Sequence, residues 1–309
     1  MYDQLYLQLH GQRPLDKVSM STSDADIISE GRGFMEAFDY TAQLQVGCPA
    51  GCAFCYVATG FRLAPADVQR NWGFDVRNKR DIATKLRRHL ASRKLADRTI
   101  YWSGVTDPYA AAPSMTRRWW ETLLEAATRD RPRRIAVQTR FQPSRDAELI
   151  QQYDESTCPS DGGPAVVVSY SVGTDCEDLI RTWERATPSF ATRMDGIAKL
   201  RQAGIWVVPT LSPFGVWKDL PGTLKRFASL DIPYVTVLFF KERTGATTTP
   251  KLFLAHLRHH HPELLDPVWQ AERLAEIQSI YPDARVGKAG FATLTSPHTV
   301  CTSASIKSR

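Results

Sequence analysis

The sequence predicts an α/β protein built from repeated strand–helix units on a parallel sheet. Three observations carry this expectation. Six short segments rich in β-branched and aromatic residues recur along the chain. The stretches between them place apolar residues at helical spacing. One segment, Ala165 to Ser171 (AVVVSYS), opens on an unbroken apolar run that suits a strand buried on both faces. Repeated units of this kind imply right-handed crossovers. Periodicity alone leaves an incomplete barrel and an open doubly wound sheet equally allowed.

In chain order, residues 1 to about 36 are polar and rich in Ser, Asp and Gly, an extended or partly ordered lead-in. Phe38 to Val46 alternates as a strand. Val57 to Phe74 lacks a clear period and is expected to run irregularly over whatever site the strand delivers. Asn78 to Arg93 is helical, with Ile82, Leu86 and Leu90 on one face. Strands follow at Thr99 to Ser103, Arg134 to Thr139, Ala165 to Ser171, Ile205 to Leu211 and Tyr234 to Phe240. Between them, helices are expected at Thr116 to Thr128, where Trp119 and Trp120 read as packing residues, and at Arg145 to Tyr153. A third starts after Thr187 as N-cap with Pro188 in its first turn and stops before Gly204, and a fourth lies near Gly222 to Ser229. Pro250 to His260 and Pro267 to Tyr281 add two helices. The expected division is a lead-in (1–36), a core (37–241) and a C-terminal helical extension (242–309).

The chain has 309 residues, 43% of them hydrophobic, enough to bury about three-quarters of its unfolded surface. Of the six cysteines, three crowd one loop, which points to metal ligation in a reducing cytosol rather than to disulfides. Cys158, Cys176 and Cys301 read as buried or incidental thiols. The first residues lack a signal-peptide pattern, and the apolar runs are too short to span a bilayer. A cytoplasmic protein with no membrane partner is expected. The formal net charge is +6, concentrated between Arg77 and Arg98 and again from Arg129 to Arg134. Such a stripe attracts nucleic acid or forms a solvated helix face, and no nucleic-acid-reading module accompanies it.

The loop in question is Val46 to Tyr56, VGCPAGCAFCY. Cys48, Cys52 and Cys55 stand in the spacing C-x3-C-x2-C, with Gly47 and Gly51 for tight turns. Three thiolates fall one short of a closed zinc site and of a four-cysteine iron–sulfur site. A zinc knuckle with a remote ligand, three ordinary cysteines in a turn, and a cluster with one open position all remain available. With Phe54 before the last cysteine, the loop resembles the signature of the radical S-adenosylmethionine (SAM) superfamily. The resemblance implies a [4Fe–4S] cluster held by Cys48, Cys52 and Cys55, with SAM chelating the fourth iron. It also implies an incomplete (β/α)6 barrel, reductive cleavage of SAM to a 5′-deoxyadenosyl radical, an external one-electron reductant of the flavodoxin or ferredoxin type, and a substrate that the residues do not identify.

Gly104-Val105-Thr106-Asp107-Pro108-Tyr109 follows the second strand. Thr-Asp-Pro is good turn chemistry, and a hydroxyl and a carboxylate at a strand end also suit an ammonium group. The segment is similar to an element of the spore photoproduct lyase-like branch, which implies that Thr106 and Asp107 hold the SAM amino group. The same likeness implies that Arg140 lies near the SAM carboxylate, that Ser169 bonds the cofactor, and that Phe54 and Tyr56 flank the cluster. The run from Glu184 to Ser189, with Arg193 and the segment from Leu200, extends the likeness over about residues 38 to 240. One departure is informative. Photoproduct lyases carry a hydrogen-donating cysteine ahead of the hydroxyl–aspartate pair, where this chain has Ser103-Gly104-Val105, and tyrosine on both sides of the third cysteine. Thymine-dimer repair by that mechanism is therefore not expected, and Cys176 and Cys301 are the alternative donors. The rival readings are a non-catalytic, metal-stabilised nucleic-acid-binding protein and a radical SAM enzyme acting on nucleic-acid bases. His256, His259, His260 and His261 read as an exposed helix end, without a metal.

Overall fold

The computed structural model describes residues 18–60, 63–241 and 249–297; Cys301 and the first part of the expected lead-in lie outside them. Its elements are β1 (Ser19–Ser23), β2 (Ile28–Glu30), β3 (Tyr40–Ala42), β4 (Gln45–Val46), α1 (Ala66–Arg70), β5 (Asp75–Lys79), α2 (Ile82–Ala91) and β6 (Thr99–Trp102). There follow α3 (Pro113–Glu125), β7 (Arg134–Thr139), α4 (Ala147–Ser156), β8 (Val166–Ser171), α5 (Glu177–Trp183), α6 (Phe190–Gln202), β9 (Trp206–Leu211) and α7 (Leu220–Ala228). The last are β10 (Thr236–Val237), α8 (Lys251–His260), α9 (Pro267–Ile280), β11 (Arg285–Val286) and α10 (Gly287–Ala292).

The main sheet runs β11-β10-β9-β8-β7-β6-β3-β2. From β3 to β11 every neighbouring pair is parallel, and β2 is antiparallel to β3. All six expected strands are present, side by side in chain order. The sheet is mixed and does not close into a barrel; β2 and β11 are its edges.

Two faces of this sheet are buried for different purposes. Ile100, Trp102, Ile135, Val137, Val166, Val168 and Val207 point to the helices and pack with Leu86, Trp119, Leu123, Ile150, Met194 and Phe227. The alternate residues Tyr101, Ala136, Val167, Val208 and Tyr234 face the other way, where Met35, Phe38, Phe291 and Leu294 cover them. Burial on both faces explains why β7 and β8 read as apolar runs instead of alternating. Trp119 and Trp120 are fully buried, the first stacked on Trp102 at 4.9 Å and the second donating its indole N–H to the Tyr109 hydroxyl at 2.9 Å. They are packing residues, as expected.

Several local expectations are corrected. Phe38 to Val46 is two strands: β3 stays in the main sheet, and β4 crosses to a three-stranded sheet of order β1-β5-β4. The break falls where Leu44 turns into the helix-side core. The polar lead-in contains β1 and β2, whose few apolar residues are too sparse to show a period. The helix expected from Asn78 starts at Ile82, because Asn78 and Lys79 complete β5 and Asp81 is in the left-handed region at φ 56°. Helix α6 is capped by Ser189, whose hydroxyl accepts from Thr192 N at 3.2 Å, and not by Thr187, which serves Glu184 instead. The basic segment is paired within the protein: Arg77 with Asp67, Arg80 with Asp24, Arg87 with Glu125, Arg88 with Asp26 and Arg98 with Asp39. Among the described residues no helix is long and apolar enough to cross a membrane.

Candidate functional site

A cavity of about 330 Å³ opens at the carboxyl ends of the parallel strands, the end at which ligands sit in parallel α/β sheets. Strand β4 leads into the cysteine loop, and β6, β7, β8 and β9 contribute Thr106 and Asp107, Arg140, Ser171 and Ser212. Residues 238 to 241 close one side, and Phe34, Met35 and Phe291 floor it. Phe239 and Phe240 pack in the core and also line this cavity.

The cysteine loop owes its shape to backbone conformations that only glycine takes easily. Gly47 (φ 80°) and Gly51 (φ 56°) are both left-handed. A Cβ on Gly47 would stand 2.4 Å from the Asp75 carbonyl oxygen, and one on Gly51 would stand 2.6 Å from Arg185 Nε. The loop is clamped from outside by the segment after α5. Cys52 forms an antiparallel bridge with Glu184, Ala53 N donates to Trp183 O at 2.8 Å, and Arg185 donates to the carbonyls of Pro49 and Gly73. Arg185 also lies 4.3 Å from the centre of the Phe74 ring.

All three thiols line the cavity. Burial pushes Cys48 up to about 11 and Cys55 up to about 12, with Asp107 adding to the first and Cys48 to the second. Cys52 is raised further by burial, against the pull of Arg140. Buried thiols in this state ionise only when a cation compensates them, as a bound metal does. Among the described residues no three His, Cys, Asp or Glu side chains are arranged to hold a single metal ion. Three thiols at one cavity are soft donors of the kind that iron and zinc both accept.

Opposite the thiols, Asp107 is fixed by three donors: Tyr109 N at 2.9 Å, Thr139 Oγ1 at 2.7 Å and Arg140 N at 2.7 Å. Burial pushes its carboxyl up, against these hydrogen bonds. The turn chemistry expected of Thr-Asp-Pro is thus real, on a residue that also lines the cavity. The Thr106 hydroxyl is buried without an oxygen or nitrogen partner and lies against the Cys48 thiol. The Tyr101 hydroxyl and the Trp72 indole N–H are also buried, unpartnered and at the cavity. Unmet polar groups of this kind fit a polar ligand. The Tyr56 phenol donates to the Gly104 carbonyl.

Arg140 donates to Glu184 Oε1 at 3.0 Å and to Ser212 O at 2.8 Å, and lies 5.0 Å from the centre of the Phe54 ring. Glu184 also accepts from Arg193 and from Thr187 Oγ1, the latter at 2.9 Å. Burial opposes ionisation of Glu184, but Arg193 and Arg140 outweigh it and hold the carboxyl below its usual range. The structure brings Cys48, Cys52, Cys55, Phe54, Tyr56, Thr106, Asp107 and Arg140 together. Ser169 is not among the lining residues. It lies deeper in β8, bonded to Thr210 Oγ1 at 2.6 Å, while Ser171, on the same face, reaches the cavity. The contacts of Glu184 and Arg185 are not legible in the sequence, because their partners Arg140, Pro49 and Gly73 lie far away in the chain. Cys158 is exposed and Cys176 half-buried; neither lines the cavity. His256 is buried rather than exposed, accepting from Trp183 Nε1 at 3.1 Å.

No protein-family model matches the chain. It is 26% identical over 207 residues to a radical SAM Nalpha-GlyT isomerase of Pseudomonas phage M6, a match that takes in 62% of this chain and 37% of the phage protein. In fold it resembles spore photoproduct lyase complexed with dinucleoside spore photoproduct, with a TM-score of 0.56 and 12% identity, covering 93% of this chain and 84% of that one. A variant of that lyase with bound AdoMet and dinucleoside spore photoproduct gives a TM-score of 0.50 at 14% identity, covering 89% of this chain and 79% of that one. The likeness to spore photoproduct lyase is one of fold, and the likeness in sequence is to a protein named as a radical SAM isomerase.

Proposed function

We propose that the protein is a radical SAM enzyme that binds a [4Fe–4S] cluster through Cys48, Cys52 and Cys55 and S-adenosylmethionine in the adjoining cavity. On this reading residues 37–241 form the catalytic core, an incomplete (β/α)6 barrel, and residues 242–309 its extension. The observation that carries the reading is the meeting of three thiols, those of Cys48, Cys52 and Cys55, with the Thr106 hydroxyl, which has no oxygen or nitrogen partner, at one cavity at the carboxyl ends of parallel strands.

When bound, the cluster and SAM supply a one-electron cleavage of a sulfonium carbon–sulfur bond, giving methionine and a 5′-deoxyadenosyl radical, with the electron drawn from a flavodoxin- or ferredoxin-type donor. The chain's own residues do the rest. Thr106 accepts from the SAM amino group, and the Asp107 charge stabilises that ammonium from behind its fixed hydrogen bonds. Arg140 offers positive charge to the SAM carboxylate. Phe54 and Tyr56 shape the two sides of the third cysteine. Ser171, reaching the cavity where Ser169 does not, takes the hydroxyl role expected of β8. Phe34, Phe239, Phe240 and Phe291 keep water from a species that would react with any nearby C–H bond.

Among the described residues the cavity carries no cysteine beyond the three ligands, so hydrogen return by a cavity thiol, as in photoproduct lyase, is not part of this reading. A nucleic-acid base is the substrate class favoured by the dinucleoside in the structural relative. The non-catalytic nucleic-acid-binding alternative is weakened by the internal pairing of the basic segment. Anaerobic reconstitution tests the proposal. Wild-type protein should take up iron and sulfide and release 5′-deoxyadenosine from SAM, and Cys48→Ala, Cys52→Ala and Cys55→Ala should each abolish both. A loaded wild-type protein that never yields 5′-deoxyadenosine would overturn it.

A further inference from the structure

Glu184 is 3% exposed and stands between two arginines. One of its oxygens takes Arg140 at 3.0 Å, and the other takes Arg193 and Thr187. Arg193 is fully buried, and Arg140 is further tied to the Ser212 carbonyl. A buried triad of this kind gains little net stability, because desolvating three charges offsets most of their attraction. Its placement is more informative. The main chain of Glu184 bridges Cys52, so the triad is attached to the middle cysteine of the loop. Arg140 lines the same cavity as the three thiols and is the cation that acts on Cys52 and Cys55.

Resting on the reading of the site given above, we infer that the Arg140–Glu184–Arg193 triad sets the reduction potential of the cluster, with Glu184 as the positioning residue. Two guanidinium groups and one carboxylate leave one positive charge held beside the cysteines in a medium where charges are poorly screened. Positive charge stabilises the reduced, more negative cluster and raises its potential; the carboxylate offsets one arginine and keeps the cluster a strong reductant. Glu184 does not line the cavity; it acts by holding Arg140 and by setting its own negative charge against the pull of Arg140 on Cys52.

The test is a potentiometric titration of the reconstituted full-length protein, followed by the electron paramagnetic resonance signal of the reduced cluster, without SAM or substrate. Glu184→Gln should move the midpoint to higher potential and Arg140→Gln to lower potential, with the double variant between them. Arg140→Lys should hold the wild-type midpoint. A purely structural role would move both single variants the same way or neither, and either result overturns the inference. If Glu184→Gln fails to fold, the Lys and Gln variants of Arg140 decide: equal midpoints overturn it. Failure of the underlying reading is separate, since it would appear as wild-type protein lacking iron and sulfide or forming no 5′-deoxyadenosine.

Discussion

The phenol of Tyr56 donates its hydrogen to the carbonyl oxygen of Gly104, joining the residue after the third cysteine to the turn that carries Thr106 and Asp107. Gly104 is left-handed (φ 96°), which lets that carbonyl face the cysteine loop. This phenol, together with the Cys48 thiol lying against Thr106 and Asp107, holds the two halves of the proposed cofactor site in register. Tyr56→Phe removes a hydrogen bond worth about 1 kcal/mol, roughly fivefold in an equilibrium constant. Iron and sulfide content should be unchanged and SAM affinity about fivefold weaker by titration calorimetry. Unchanged affinity would show that the link does not position the turn.

Gly51→Ala should impair cluster retention more than Gly33→Ala. Both glycines are left-handed, but a Cβ on Gly33 meets nothing within 4 Å, whereas one on Gly51 meets Arg185 Nε at 2.6 Å and Gly73 Cα at 3.2 Å. Gly33→Ala carries backbone strain of about 1 to 2 kcal/mol; Gly51→Ala carries the same strain and also displaces the clamp on the loop. Iron retained after desalting distinguishes them, and equal retention contradicts the clamp.

Asp161→Ala should lower stability in urea by about 3 kcal/mol at neutral pH, because it leaves the fully buried Arg134 guanidinium without its charged partner. The hydrogen bond from Arg134 holds the Asp161 carboxyl well below its usual range. A depressed carboxyl contributes stability above its unfolded value of about 3.9 and loses it as pH falls through the folded value. The gap between wild type and variant should therefore narrow only in strong acid. A gap that closes near neutrality would show that the pair is not the cause.

Burial, then His260, His261 and His259, lowers His256 from 6.5 to about 4. The unfolded chain takes up a proton through this window while the folded one does not, so stability rises with pH from about 4 to about 6.5. Thermal melts of wild type should rise in temperature as pH climbs from about 4 to about 6.5, and His256→Phe, which keeps a ring against Trp183, should flatten the slope. A slope unaltered in the variant assigns the acid sensitivity elsewhere.

Much of the fold could be read because its signals are local. β7 and β8 show their burial in their own composition, and Gly204, left-handed at φ 74°, marks the end of α6 as it does in the sequence. What was missed depends on distant partners. β1 and β5 form because they pair with each other across more than fifty residues and carry little apolar pattern of their own. The Ser169–Ser171 choice turned on depth along one strand, which alternation cannot report.

By itself, the sequence determined the order of the six parallel strands that bear the cavity, the loop with its three cysteines and two left-handed glycines, and the Thr106–Asp107 turn, because spacing and backbone preference are properties of neighbouring residues. Only the tertiary structure decided what faces them. It bound the cysteine loop to Glu184 and Arg185 from behind, committed Arg140 to a buried carboxylate and set the Thr106 hydroxyl against the Cys48 thiol at the cavity, because burial and charge pairing are set by residues far apart in the chain.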